Sequence, residues 1–99
     1  MAEPEPAREY FACRWVHDHD DEPVVLYEEL GPGRIELRKV HEYRNGRLER
    51  TDRVAAGRRT SLSWEPVPER AAIDAQAEFT VLPLTAEEFE AVWQRAHDA

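Results

Sequence analysis

Two β-compatible runs meet at Asn45-Gly46 inside Arg34–Val54, RIELRKVHEYRNGRLERTDRV, and no other stretch constrains the fold as tightly. An Asn-Gly pair between such runs is the strongest short-range hairpin signal, because both central residues of a type I′ turn need positive φ. A two-residue loop there sets Arg44 opposite Arg47, Tyr43 opposite Leu48, Lys39 opposite Asp52 and Leu37 opposite Val54. One face of the predicted hairpin is then apolar at its ends and polar in the middle, at Lys39, His41, Arg50 and Asp52. The other, from Glu36 through Arg38, Val40, Glu42 and Arg44, is almost entirely charged and is predicted to face solvent. On it Glu42 opposes Glu49 and Arg38 opposes Arg53. The diagonals Glu42–Arg47, Arg44–Glu49 and Glu36–Arg53 attract, each by a few tenths of a kcal/mol at most when exposed.

Ninety-nine residues suffice for one modest core. Residues 1–8, with Glu-Pro-Glu-Pro, are expected to be a disordered leader, and residues 9–99 a single α+β domain. The leader is acidic and carries no hydrophobic segment, no apolar run is long enough to span a membrane, and one Cys suits a reducing compartment. A cytoplasmic location is therefore expected. The net charge of −8 hides a polarity, since residues 34–59 hold nine Arg and Lys against four Asp and Glu. A basic hairpin in an acidic chain either finds its counter-charges within the fold or offers a cationic strip to a partner.

The other elements follow from pattern. Tyr10–His17 alternates as a strand with Phe11, Cys13, Trp15 and His17 toward the core, and Val24–Leu30 is a second strand. Gly31-Pro32-Gly33 has the residues of a type II turn, with Leu30 expected opposite Ile35. Ala55–Arg59 is a loop, Ser61–Trp64 a short edge strand, Glu69–Ala75 a helix after Pro68 with Ala72 and Ile73 inward, and Ala77–Leu84 extended. Thr85-Ala-Glu-Glu88 is a capping box opening a helix whose apolar stripe is Phe89, Val92, Trp93 and Ala96. The expected fold is an antiparallel sheet of three to five strands built on hairpins and covered by a C-terminal helix.

His17-Asp18-His19-Asp20-Asp21-Glu22 contains ligand types for zinc or a hard cation, but no second cluster completes a set. It reads as a solvated acidic loop, with no metal and no cofactor. Lys39, His41, Arg50 and Asp52 have the chemistry to recognise a carboxylate or phosphate, or to be the polar face of a hairpin arm in water. Cys13 is read as a buried small hydrophobe. Trp15 and Trp93 fit core positions, whereas Trp64, beside two prolines, is placed for contact with a partner. Arg58-Arg59-Thr60-Ser61 is a weak basophilic-kinase match, and no Gly-rich phosphate loop or nucleophile elbow is present.

Trp15-Val16-His17-Asp18, Pro23-Val24-Val25-Leu26-Tyr27-Glu28-Glu29-Leu30 and Glu88-Phe89-Glu90-Ala91-Val92-Trp93 together resemble a family of small bacterial domains of unknown function. The resemblance covers most of residues 9–97. It implies a bacterial cytoplasmic protein and brings no activity, cofactor or site with it. With no complete catalytic set, the sequence points away from an enzyme. The leading expectation is a small acidic binding module that recognises another protein, as a regulator or an immunity-like protein. Lys39, His41, Arg50, Asp52, Arg53 and Trp64 are then the contact residues. The alternative is an enzyme or small-ligand-binding protein using His17 and His19 or the Lys39, His41, Arg50 and Asp52 face. Nucleic acid ranks last, because the charge outside the hairpin repels phosphate.

Overall fold

Alternation in the N-terminal half builds a sheet, and the two short helices close its opposite faces. The computed structural model describes residues 8–52 and 62–98. The strands are β1 (Glu9–Trp15), β2 (Val25–Leu30), β3 (Glu36–Glu42), β4 (Leu48–Asp52), β5 (Phe79–Pro83) and β6 (His97–Asp98), and the helices are α1 (Arg70–Asp74) and α2 (Ala86–Arg95). Spatial order is β5-β1-β2-β3-β4-β6, in which the first five strands run antiparallel and the two-residue β6 joins β4 in parallel. The protein is an α+β fold with a five-stranded antiparallel sheet and a C-terminal helix, as the patterns predict. Expected residues 1–8 of the leader lie outside the described residues except for Arg8, as do the Ala55–Arg59 loop and the kinase-like match.

Each sheet face has its own core. On the first, Phe11, Cys13 and Leu30 pack with Leu26, Val67, Ile73, Phe79 and Val81, under α1 and the segment that leads into it. On the second, α2 lays Val92, Ala96 and Trp93 over Val40, Tyr27 and Leu48. The capping box is present as the sequence predicts: Thr85 Oγ1 accepts the Glu88 N–H at 3.0 Å, and Glu88 Oε1 accepts the Thr85 N–H at 2.8 Å. Two orphan donors at the helix start are thereby satisfied. Phe89, fully buried, anchors the stripe.

Two register corrections change which residues share a face. The hairpin pairs Arg38 with Asp52, Val40 with Arg50 and Glu42 with Leu48, one residue away from the expected register. Its loop has three residues: Tyr43 N–H donates to Arg47 O at 2.9 Å, and Gly46, at φ 90°, donates to Tyr43 O at 2.8 Å. Asn45 keeps negative φ and its Oδ1 accepts the Arg47 N–H. This is a type I turn closed by a left-handed glycine, which uses Asn-Gly as well as a type I′ turn does. A slip of one residue sends every β4 side chain to the other face. The expected solvent face, with Val40 fully buried, instead lies under α2.

The second correction is a bulge in β3. Leu30 pairs with Glu36, and Glu29 with Arg38, so Leu37 is the extra residue. The expected Leu30–Ile35 pairing does not form. Gly33 (φ 71°) and Arg34 (φ 60°) turn the chain through a short 3-10 segment, Pro32–Arg34, that delivers Glu36 to the same face as Glu28 and Leu30. Leu62, Ser63 and Trp64 form no strand, because the Ser63 N–H is taken by Glu36 Oε1 at 2.8 Å. The predicted helix after Pro68 is present as α1, with Ile73 inward but Ala72 exposed.

Replacing Phe89 by Ala removes a fully buried ring and is expected to cost about 3–5 kcal/mol in urea unfolding. A loss under about 1 kcal/mol would show that α2 is not packed on the sheet.

Candidate functional site

The first sheet face changes character between β2 and β4. Cross-strand pairing lays Glu28, Lys39 and Thr51 in one row and Leu26, His41 and Glu49 in the next, and the bulge adds Glu36. Glu28, Glu36 and Glu49 are each only 6% exposed and Thr51 1%. Buried charges need partners. Glu36 has Lys39, whose Nζ lies 3.7 Å from its Oε1, and accepts the Ser63 N–H. Glu49 has the Arg47 guanidinium at 3.1 Å. Glu28 makes no salt bridge among the described residues. Glu28 Oε2, His41 Nε2 and Thr51 Oγ1 are buried here and make no hydrogen bond among the described residues, and Glu49 Oε1 meets the Arg47 guanidinium as an ion pair without hydrogen-bond alignment.

These surroundings set the protonation states. Burial raises the Glu28 carboxyl well above the usual range, and a hydrogen bond to the Glu36 carboxylate raises it further against the opposing charge of Lys39. Burial works against ionisation of Glu36 too, yet hydrogen bonds from Glu28 and the Ser63 N–H, with the charges of Lys39 and His41, hold it low. Burial and coupling thus favour the protonated form at Glu28 and the ionised form at Glu36. His41 is pushed down to about 4 by burial and then by Lys39, with Glu36 and Glu49 pulling the other way. At neutral pH its ring is uncharged.

Glu28 and Glu36 stand at one end of a groove of about 250 Å³ between the sheet and the chain around α1. Its other walls are chiefly Phe11, Cys13, Leu26, Val67, Ile73 and Phe79, with Gln76 at the rim. Burial raises the Cys13 thiol, and the charges of Glu28 and Asp74 raise it further, so it remains protonated and acts as an apolar wall. Arg34 holds the segment over the groove: its Nε donates to Val67 O at 2.8 Å, a second nitrogen donates to Pro68 O at 2.6 Å, and it pairs with Glu9.

The contact residues expected from the sequence are dispersed. Lys39 and His41 lie on the groove side of the sheet, whereas Arg50 and Asp52 lie on the α2 side, so the quartet does not form one face. Arg50 donates to Trp93 O at 2.9 Å and stacks over the Trp93 ring, which ties down the end of α2. Arg53 lies outside the described residues, and Trp64 is 76% exposed. In the acidic loop, His17 Nδ1 accepts the His19 N–H at 2.9 Å, which leaves Nε2 to donate to Pro23 O at 2.8 Å. Both ring nitrogens of His17 thus serve the loop. Among the described residues no cluster of three metal-ligating side chains occurs. The residues the sequence reading missed are Glu28, Glu36, Glu49 and Thr51; the repulsions Glu42–Glu49 and Arg38–Arg53 were a signal against the register that hid the last two.

The family model described as Domain of unknown function (DUF6881) matches residues 9–98, and the chain belongs to that family. Neither a curated protein nor a solved structure matches the chain. No helix among the described residues is long and apolar enough to cross a membrane.

The two buried titrating groups act in opposite directions on stability. His41 has a depressed value, so its contribution is present above pH 6.5 and is lost as pH falls toward 4. Glu28 has a raised value, so its contribution is present below pH 4.5 and is lost as pH rises. Glu28→Gln keeps the shape without the proton uptake and is expected to stabilise the protein at pH 7 by roughly 1 kcal/mol or more. Equal or lower stability of the variant at pH 7, measured by urea unfolding, would show Glu28 to be ionised in the fold.

Proposed function

We propose that the protein is a small-ligand-binding module whose site is the groove between the sheet and α1. The observation that supports this reading is the Glu28 carboxyl: nearly inaccessible, short of a hydrogen-bond partner at Oε2, and part of the lining of an otherwise apolar groove. Apolar walls with a few convergent polar groups and a perturbed carboxyl are the usual composition of a ligand site. An apolar cavity of roughly 150 Å³ holds a benzene ring, so about 250 Å³ suits one ring or a short branched chain with a single polar group.

Recognition of another protein by a cationic hairpin draws less support. Arg34 pairs with Glu9, Arg38 with Glu29 and Glu90, and Lys39 with Glu36, while Arg44 donates to His17 O. These cations are committed within the fold, and a partner that recruited them would have to break those contacts. Catalysis has still less support, because the groove presents a carboxyl pair and no nucleophile beyond the protonated Cys13 thiol.

Benzyl alcohol is a suitable probe, with NMR detection of the Leu26, Val67 and Ile73 methyl groups. Shifts confined to these methyls, Cys13 and Phe79 are expected at millimolar probe. Gln76→Trp, at an exposed rim position, is expected to abolish them without unfolding the protein. No shifts in the wild type, or shifts that survive in the variant, would remove the groove from consideration.

A further inference from the structure

Pairing the charges on the polar half of the first face leaves a remainder. Glu49 is matched by Arg47 and Glu36 by Lys39, and Glu28, although Lys39 is its cross-strand neighbour, makes no salt bridge among the described residues. Burial favours the protonated form of this carboxyl. The groups that act on Glu28 are Glu36 and Lys39 from β3; Cys13 from β1 feels Glu28, and Asp74 from α1 and Glu49 from β4 lie one neighbour further out, acting on Cys13 and His41. Glu36 and Lys39 pair with each other, which leaves the Glu28 carboxyl without a salt bridge of its own among the described residues. The setting favours a further positive charge. The groove that opens onto Glu28 is walled by aromatic and aliphatic side chains that match an apolar body, not a hydrated ion.

Resting on the ligand-binding reading, we infer that the groove's ligand is a hydrophobic amine, bound as an ammonium that pairs with the Glu28 carboxylate in place of its proton. The exchange balances: a protonated amine enters, Glu28 gives up its carboxyl proton to solvent, and the net charge of the site is unchanged. The apolar body displaces water from Leu26, Ile73 and Phe79, while the ammonium donates to the Glu28 carboxylate. Rotation about the last side-chain bond presents either oxygen. An alcohol of the same shape fills the groove but leaves the proton where it is.

Benzylamine and benzyl alcohol separate this inference from the reading beneath it. Calorimetry at pH 7 in two buffers of different ionisation enthalpy is expected to show benzylamine binding at least about tenfold more tightly, with proton release on binding. Its affinity is expected to rise with pH while the amine stays protonated, whereas the alcohol's affinity stays flat below the Glu28 titration. Glu28→Gln is expected to lose the preference and the proton release yet still bind benzyl alcohol. If the alcohol binds the wild type as well as the amine does, the groove stands and the amine assignment falls. Amine binding without proton release, or an undiminished preference in Glu28→Gln, overturns it as well. If neither probe binds, the groove reading and this inference fall together.

Discussion

The Glu29–Arg38 ion pair is the contact on which the two halves of the molecule depend. Glu29 is 1% exposed and accepts from Arg38 at 2.6 and 2.9 Å, and from the Tyr10 hydroxyl at 2.8 Å. Burial opposes its ionisation, but the hydrogen bonds from Arg38 and Tyr10 and the charges of Arg38 and Arg8 outweigh that and keep the carboxyl low. The same guanidinium reaches Glu90 and lies 4.9 Å from the ring centroids of both Phe89 and Trp93. Strands β1, β2 and β3 and helix α2 therefore meet at one cation. A buried pair of this kind adds little compared with an apolar replacement of both partners, whereas removing one partner costs about 3–5 kcal/mol. Its value here lies in geometry, since it fixes where α2 sits across the sheet.

Around that point the two faces solve different problems. The α2 face combines aromatic packing with cations: Arg38 and Arg50 both stack on Trp93, and Tyr27 donates to Glu42 Oε1 at 2.6 Å. Burial and that hydrogen bond push the Tyr27 phenol up to about 12, so it remains a donor at any physiological pH. Glu29, Arg38, Glu42 and Arg50 on this face each have a matched neighbour. The opposite face divides into an apolar half under α1 and a polar half toward β3 and β4 that leaves several buried atoms without a hydrogen bond among the described residues. One face is optimised for cohesion, and the other keeps unsatisfied chemistry next to a groove.

Local codes were legible in the sequence, and pairings between segments were not. The capping box at Thr85–Glu88 and the stripe Phe89, Val92, Trp93, Ala96 are short-range signals that no distant contact overrides. The Asn45-Gly46 turn was equally visible, but two loop types accept that pair and they differ by one residue in register. The correct register sets Arg38 against Asp52 and Glu42 against Leu48, relieving both like-charge oppositions. That repulsion was the available discriminator. The bulge at Leu37 had no comparable signature, and without it Glu36 falls on the α2 face and the carboxyl pair cannot be assembled. The candidate site was therefore hidden by two single-residue shifts, although each of its residues stands in plain sequence.

Those shifts also set which partners the charges of the basic hairpin meet. Read as an isolated element, residues 34–59 carry a surplus of cations that invites an external partner. In the fold, Arg34, Arg38, Lys39 and Arg47 each meet a carboxylate, drawn variously from β1, β2, β3, β4 and α2 or from the segment before α1. The acidic flanks and the basic centre are thus halves of one internal charge network. Glu28 is a buried carboxyl that makes no salt bridge among the described residues. A glutamine would fill the same volume and donate to Glu36 without any proton uptake, so packing alone gives no reason for an acid there. A buried acid without a cation costs stability at neutral pH, and such costs are characteristic of sites shaped by something other than folding. The groove beside Glu28 supplies the physical context in which a titratable group, not an amide, makes a difference.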